Sequence, residues 1–236
     1  MSADCIALIV AGGSGKRFDE SGSYKQFAPL CQHTVLWHAQ QPFSNCKEIS
    51  NTRIVVAKEC VEIAHQALAE QATQVEIVAR GGATRAESVY NGLADCADDT
   101  WILVHDAARP CLSTAALQRL LTYRTQEEGS RGDGAVLALP LNDALKRAQE
   151  QRIEAVIERA GLWTMQTPQL FRAGTLKKLL PQYLDAADEA EAVWRGGGTV
   201  DIIAGDRYNI KITYTEDLQI AELLLQNRAA QEQMIR

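Results

Sequence analysis

Six stretches of this 236-residue chain carry residue types suited to gripping phosphate. The first, Ala11-Gly12-Gly13-Ser14-Gly15-Lys16-Arg17, follows a short apolar run. Glycines let backbone N–H groups turn toward an anion at close range, and Lys16 and Arg17 add full charges, so the segment suits a nucleoside triphosphate. It is not a P-loop, because Val10 stands where that motif needs glycine and Arg17 replaces its Ser or Thr. It is not a dinucleotide fingerprint either, because Phe18 occupies the third glycine position. The competing reading is an ordinary strand-to-helix turn. In the second stretch, Tyr24 to Leu30, the spacing lets Lys25 fold back over the same phosphates, unless it is a solvated surface lysine.

The third stretch is Gly81-Gly82-Ala83-Thr84-Arg85-Ala86-Glu87-Ser88. Its glycines permit close approach to a flat ring and Ser88 can hydrogen-bond a base; alternatively they form a turn with Thr84 as helix N-cap. The fourth is His105-Asp106-Ala107-Ala108-Arg109-Pro110. There Asp106 is placed to hold Mg²⁺ bound to phosphates and Arg109 to grip a phosphate bidentately, with a structural Asp–Arg pair as the alternative. In the fifth, Glu158 to Gln169, Arg159 and Thr167 can bind phosphate or hydroxyls, while Trp163 reads as packing. In the sixth, Asn209-Ile210-Lys211-Ile212-Thr213, Lys211 alternates with apolar positions and points either to a site or to water.

Short apolar runs alternating with amphipathic ones position these stretches. Strands are expected at Cys5–Ala11, Arg53–Ala57, Val75–Ala79, Trp101–His105, Ala135–Pro140 and Val200–Ala204. Helices are expected at Thr34–Phe43, Cys60–Gln71, Arg85–Leu93, Thr114–Thr125, Ala173–Leu184 and Asp188–Arg195, with a last one capped by Thr215. That alternation gives an α/β fold: a Rossmann-like, mostly parallel sheet with helices on both faces. Ligands in such sheets bind beyond the carboxyl ends of the strands, where the first, third and fourth stretches fall. Leu141–Gln166 is more polar, with two short strands around Ala144–Ala148 and Glu154–Glu158, and reads as a hairpin arm projecting from one domain spanning 1–236.

Composition narrows the function. A net charge of −6 argues against a nucleic-acid footprint. The apolar runs are too short for a transmembrane helix. Cysteines 5, 31, 46, 60, 96 and 111 contain no C-x-x-C, and histidines 33, 38, 65 and 105 lack metalloprotease spacing. Reduced thiols in a cytoplasmic protein are expected, rather than a zinc site or disulfide framework.

In their order, the six segments closely resemble the 2-C-methyl-D-erythritol 4-phosphate cytidylyltransferases, bacterial isoprenoid-pathway enzymes, from about Cys5 to Leu225. His105–Pro110, Gly161-Leu162-Trp163, Gln166–Gln169 and Asn209–Lys211 are the most specific parts. The resemblance implies transfer of CMP from CTP to methylerythritol phosphate in the non-mevalonate pathway, releasing pyrophosphate. It implies that Ala11, Gly12, Gly13, Ser14 and Gly15 wrap the triphosphate, that Arg17 and Lys25 are catalytic there, and that Gly82 and Ser88 meet the cytosine. It matches Asp106 to the Mg²⁺-binding carboxylate, placed beside the acceptor, and Arg109, Thr167 and Lys211 to the surroundings of the methylerythritol phosphate, with Lys211 also acting catalytically. Arg159 falls on the family's arm (here about 141–166), which in a homodimer reaches the neighbouring site. The chain departs from the pattern at Val10, Phe27, Ala83, Ala144 and Ala187, the last two removing hydroxyls expected near the acceptor. Two rivals are a ribitol 5-phosphate cytidylyltransferase, disfavoured by Ala108 and Gly161-Leu162-Trp163, and a catalytically idle nucleotide-binding protein of the same fold, disfavoured by the retained pocket charges.

Overall fold

The structure is a computed structural model that describes residues 4–13, 24–68, 75–127 and 131–235. Ser14, Gly15, Lys16 and Arg17 lie outside the described residues, as does the end of the helix expected over Cys60–Gln71.

The strands are β1 (Cys5–Val10), β2 (Pro29–Leu30), β3 (His33–Thr34), β4 (Asn51–Val55), β5 (Val75–Val78), β6 (Trp101–Asp106), β7 (Gly134–Pro140), β8 (Leu145–Gln149), β9 (Arg152–Ile157), β10 (Trp163–Arg172) and β11 (Val200–Ala204). The α-helices are α1 (Val35–Ser44), α2 (Val61–Leu68), α3 (Arg85–Gly92), α4 (Thr114–Thr122), α5 (Ala173–Leu179), α6 (Glu189–Arg195) and α7 (Glu216–Ile235). A seven-stranded sheet runs in the order β11-β7-β10-β6-β1-β4-β5. All its neighbours pair parallel except β10, which runs antiparallel to both β6 and β7.

Strand periodicity divides the core into two layers. Cys5, Ala7 and Ile9 of β1, with Trp101 and Leu103 of β6, face Leu36 and Phe43 of α1, Ala64 of α2 and Leu117 of α4. Ile6, Leu8, Ile102 and Val104 face the other way, onto Val89 of α3, Leu176 of α5 and Val193 of α6. Because both faces are covered, β1 and β6 read as unbroken apolar runs. Each fully buried Leu or Ile among them contributes about 2 kcal/mol. A third cluster joins Leu30, Val35, Cys111, Ile212 and Ala221, and seats α7 behind the loop that carries Lys211.

The main departure from expectation is β10. Its sequence, with Gln166, Thr167, Pro168 and Gln169 at its centre, carries no strand alternation, yet these residues are buried. The register shifts between Met165 and Gln169, which accommodates Pro168 inside a central strand. The glutamines are satisfied. Gln166 donates to the Asp206 carbonyl at 2.9 Å and accepts from the Asp206 amide at 3.1 Å. Gln169 donates to Asp188 Oδ2 at 3.0 Å and accepts from the Ala190 amide at 2.9 Å. The hairpin expected from the polar excursion is present as a separate two-stranded sheet, β8–β9, nearly all exposed. Glu150 and Gln151 form its tip with φ of 47° and 65°.

Helix ends are shorter than the periodicity suggests. Thr114–Thr125 is α-helical only to Thr122 and then tightens into a 3₁₀ turn. Ala173–Leu184 does the same after Leu179, where Pro181 cannot continue the helix. Ahead of α7, Asp217 accepts from the Thr213 and Tyr214 amides at 2.7 and 2.9 Å, while the Thr215 hydroxyl faces Glu216. The carboxylate reaches back to tie the incoming chain to the first turn of α7, a different bond from the cap expected of Thr215. Asn209–Thr213 is an extended loop, not a strand.

Candidate active site

The site is built at the carboxyl ends of β1 and β6, whose last residues, Val10 and Asp106, are paired in register. The glycine loop leaves from Ala11, whose amide donates to the Val55 carbonyl at 2.9 Å. A Cβ on Gly12 would lie 3.6 Å from Ser88 Oγ, so the first and third stretches meet here. Buried Gln26 donates to the carbonyls of Ala11 at 2.6 Å and Gly13 at 3.3 Å, which holds the Lys25 segment against the glycine loop. Lys25 Nζ donates to the Ile212 carbonyl at 2.8 Å, joining the second and sixth stretches.

At the third stretch, Thr84 caps α3 by accepting from the Glu87 amide. Ser88 accepts from the Gly82 amide at 3.0 Å and donates to the Thr84 carbonyl at 3.0 Å, so its hydroxyl braces its own loop. A Cβ on Gly81 would stand 2.8 Å from the Ala57 amide nitrogen, and one on Gly82 would strike the Glu87 side chain. Glycine is required at both by close approach.

Asp106 is the electrostatic centre. Its Oδ1 accepts from Arg85 Nε at 2.9 Å and its Oδ2 from Lys211 Nζ at 2.6 Å. Arg85 also donates from both terminal nitrogens to Glu189, at 2.6 and 3.1 Å. Burial raises the Asp106 pKa, but the charges of Arg85 and Lys211 outweigh it and hold the carboxyl well below its usual range. Burial likewise opposes the Arg85 charge, and Glu189 and Asp106 overcome it, so the guanidinium stays protonated. Glu189 is fully buried, and burial pushes its carboxyl up against the pull of Arg85.

Behind Asp106 runs a hydrogen-bond chain. The Asp106 amide donates to Thr167 Oγ1 at 3.0 Å, and that hydroxyl lies 3.0 Å from His105 Nδ1. His105 Nε2 lies 3.1 Å from the Arg109 carbonyl, which can only accept. The proton therefore sits on Nε2, leaving Nδ1 to accept from Thr167. Burial lowers the His105 pKa to about 4, consistent with a neutral ring. Arg109 donates to the Asn209 carbonyl at 2.7 Å and the Met165 carbonyl at 3.4 Å, clamping the Lys211 loop to β10. Asn209 donates to the Thr167 carbonyl at 2.8 Å, and its buried Oδ1 has no partner among the described residues.

Ala11, Gly12, Lys25, Gly82, Ser88, Asp106, Arg109, Thr167 and Lys211 are thus linked around one crevice, with Gly13 tied to it through Gln26. In this chain Thr167 and Arg109 contact backbone and neighbours. Arg159 is apart: its guanidinium donates to the Asn142 carbonyl at the foot of the hairpin. Sequence reasoning missed Gln26, Arg85 and Glu189. One signal existed for Glu189, which shares a helical face with buried Ala192 and Val193. A carboxylate on an apolar face demands a buried cation.

A mostly parallel α/β sheet that brings Lys25, Asp106 and Lys211 together beyond its strand ends suits a nucleotidyltransferase. The family model of 2-C-methyl-D-erythritol 4-phosphate cytidylyltransferase (IspD) matches residues 5–227. A relative so named from Nitrosomonas eutropha is 42% identical, covering 95% of this chain and 97% of that protein. One from Dechloromonas aromatica is 40% identical over 94% and 97%. A crystal structure of 4-diphosphocytidyl-2C-methyl-D-erythritol synthase superposes with a TM-score of 0.80 at 38% identity, covering 95% of this chain and 99% of that one. The Francisella tularensis structure gives 0.78 at 26%, over 94% and 100%. The chain belongs to the 2-C-methyl-D-erythritol 4-phosphate cytidylyltransferase family.

Proposed function

We propose that the crevice around Asp106 carries out the family's reaction. An acceptor phosphate oxygen attacks the α-phosphorus of CTP, pyrophosphate leaves, and 4-diphosphocytidyl-2-C-methyl-D-erythritol of the isoprenoid pathway is the product. The observation that carries the reading is the Lys211–Ile212 stretch, whose ammonium meets Asp106 at the end of β6 and whose carbonyl at Ile212 holds Lys25. A phosphate monoester is already an anion and needs no general base, so the protein aligns the two phosphates and offsets their charge. In this reading Ala11 to Gly15, Arg17 and Lys25 hold the triphosphate, and Gly82 and Ser88 frame the cytosine. Lys211 passes from Asp106 to the incoming phosphate, with Arg109 and Thr167 fixing its loop.

The residues present fit a single Mg²⁺. A cation, the Lys211 ammonium, already sits against Asp106 Oδ2, and oxygen ligands suit this hard ion. Asp106 would hold it on one side, with phosphates and water on the others. When bound it offsets the charge growing on the triphosphate. Among the described residues no cluster of three acidic, histidine or cysteine side chains forms a metal cage.

The β8–β9 hairpin is the proposed dimerisation arm, supported by exposed Ile153 (68%) and Val156 (72%) on an isolated two-stranded sheet. Such a hairpin is marginal without a partner surface. In that homodimer Arg159 reaches the neighbouring site. Free thiols at all six cysteines support a cytoplasmic setting. No helix among the described residues is long and apolar enough to cross a membrane.

The test follows pyrophosphate release from each of the four nucleoside triphosphates with methylerythritol phosphate or ribitol 5-phosphate. Turnover only with CTP and methylerythritol phosphate is expected; none with that pair overturns the reading. Lys25→Ala and Arg17→Ala should each cut turnover roughly 10²–10³-fold, the scale for one preorganised electrostatic contact. Wild-type turnover in both would remove them from the site. Arg159→Ala should raise the acceptor KM with the dimer intact, and an unchanged KM would detach it from the reaction.

A further inference from the structure

We propose that Arg85 and Glu189 are positioning residues for the reaction: Glu189 fixes the Arg85 guanidinium, and Arg85 fixes Asp106 Oδ1, so that Oδ2 is left as the one oxygen at which cations exchange. The proposal rests on the placement of Asp106 and Lys211 in the active site. Arg85 spends all three of its nitrogens in this arrangement, Nε on Asp106 and the other two on Glu189. A planar guanidinium held at three points has no freedom to rotate, which a lysine's single point charge could not reproduce. Glu189 is 0% exposed and both its oxygens are taken by Arg85, so it reaches a substrate only through that residue.

The opposite side of Asp106 is built differently. Lys211 makes one hydrogen bond to Oδ2 from a flexible stem, and its side chain is 41% exposed. One oxygen is therefore locked by a cation held at three points, 25% exposed, and the other is covered by a single-point cation that is 41% exposed. Lys211 can leave for a phosphate, or give way to a metal ion, while the carboxylate keeps its direction. The lock also joins two elements. Arg85 is the first residue of α3, immediately after the Gly81–Thr84 loop, and Glu189 is the first residue of α6. The nucleotide loop and the far side of the crevice are thereby set at one distance from the same carboxylate.

The experiment measures kcat per folded enzyme and both KM values for the wild type, Arg85→Gln, Arg85→Lys, Glu189→Gln and the double variant Arg85→Gln/Glu189→Gln, with melting curves for each. Arg85→Gln and Glu189→Gln should lose roughly 10²-fold in kcat while the CTP KM changes by less than about threefold, as misplacement of a reacting group predicts. Arg85→Lys should recover only part of that loss. The double variant should be no worse than Arg85→Gln, because Glu189 acts through Arg85. Undiminished kcat in folded variants, or losses that multiply in the double variant, overturns the proposal. A single neutralisation strands a buried charge and can unfold the chain. The double variant, uncharged at both positions, and Glu189→Asp, which withdraws the charge by one methylene, then decide by the same kcat criterion. A wild type inactive with CTP and methylerythritol phosphate fails the functional reading; an active wild type with undiminished variants fails the positioning role alone.

Discussion

His105 sits directly before Asp106, yet its ring faces Phe43, Thr167 and the Arg109 carbonyl. Its burial has a consequence for pH. The folded ring titrates at about 4, against 6.5 for an unperturbed histidine, so between these values the unfolded chain binds the extra proton. Stability from this residue is fully present above pH 6.5 and is lost as the pH falls toward 4, at about 1.4 kcal/mol per unit, or about 3 kcal/mol in all. Urea unfolding across that range should show the loss in the wild type and a flatter profile in His105→Gln. Equal slopes would mean that the imidazole is not neutral in the fold. None of this was legible from the residue itself, which the sequence marks only as the end of an apolar strand. The neutral state comes from burial, and its tautomer is fixed by Thr167, 62 residues away on a strand that sequence periodicity does not reveal.

At the scale of elements, α7 supports the Lys211 loop chiefly through buried Ile212. Ile212, next to Lys211, is buried against Leu30, Val35 and Ala221. Arg228, farther along α7, donates to the carbonyls of Leu112 at 3.0 Å and Cys111 at 2.8 Å. Ile212→Ala should cost about 2–4 kcal/mol of stability by leaving a cavity, and should lower turnover by loosening Lys211. Leu223→Ala, on the exposed face of the same helix, should stay within about 0.5 kcal/mol of wild type. Denaturant midpoints check both; equal losses would show that α7 is not docked through Ile212. The strands β1, β6 and β7 were readable because burial on both faces writes them as short apolar runs, and the less buried β4, β5 and β11 because each carries a short Val- or Ile-bearing stretch between helices. β10 was not, because its buried centre is Gln-Thr-Pro-Gln, whose polar groups are satisfied by residues such as Asp206 and Asp188 that no local pattern connects to it. The glycine, Lys25, Asp106 and Lys211 segments were legible as charge placed after strands. Arg85 and Glu189 were not, since their meaning lies in a pairing across 104 residues.

For the whole molecule, the proposed dimer makes the sharpest prediction. Ile153→Asp combined with Val156→Asp replaces the exposed apolar side chains of β9 with charge. Sedimentation should then report a monomer whose core still melts as one unit, because β8–β9 is a sheet of its own. A persistent dimer would move the interface elsewhere.

The antiparallel strand also sets the order in which the protein can be finished during synthesis. β6 emerges with β1 on one side, but the strand that covers its other side, β10, begins only at Trp163. At about 5–20 residues per second, a ribosome leaves that edge bare for several seconds. β7 waits with it, its neighbours β10 and β11 both still unmade. Thr167 and Lys211, the partners that complete the surroundings of Asp106, arrive last. A nascent chain stalled before residue 163 presents the open backbone of its most apolar strands to any strand nearby. The middle of the sheet, the most protected place in the finished enzyme, is thus sealed only after the strands on both sides of it have been made, and is open to mispairing until then.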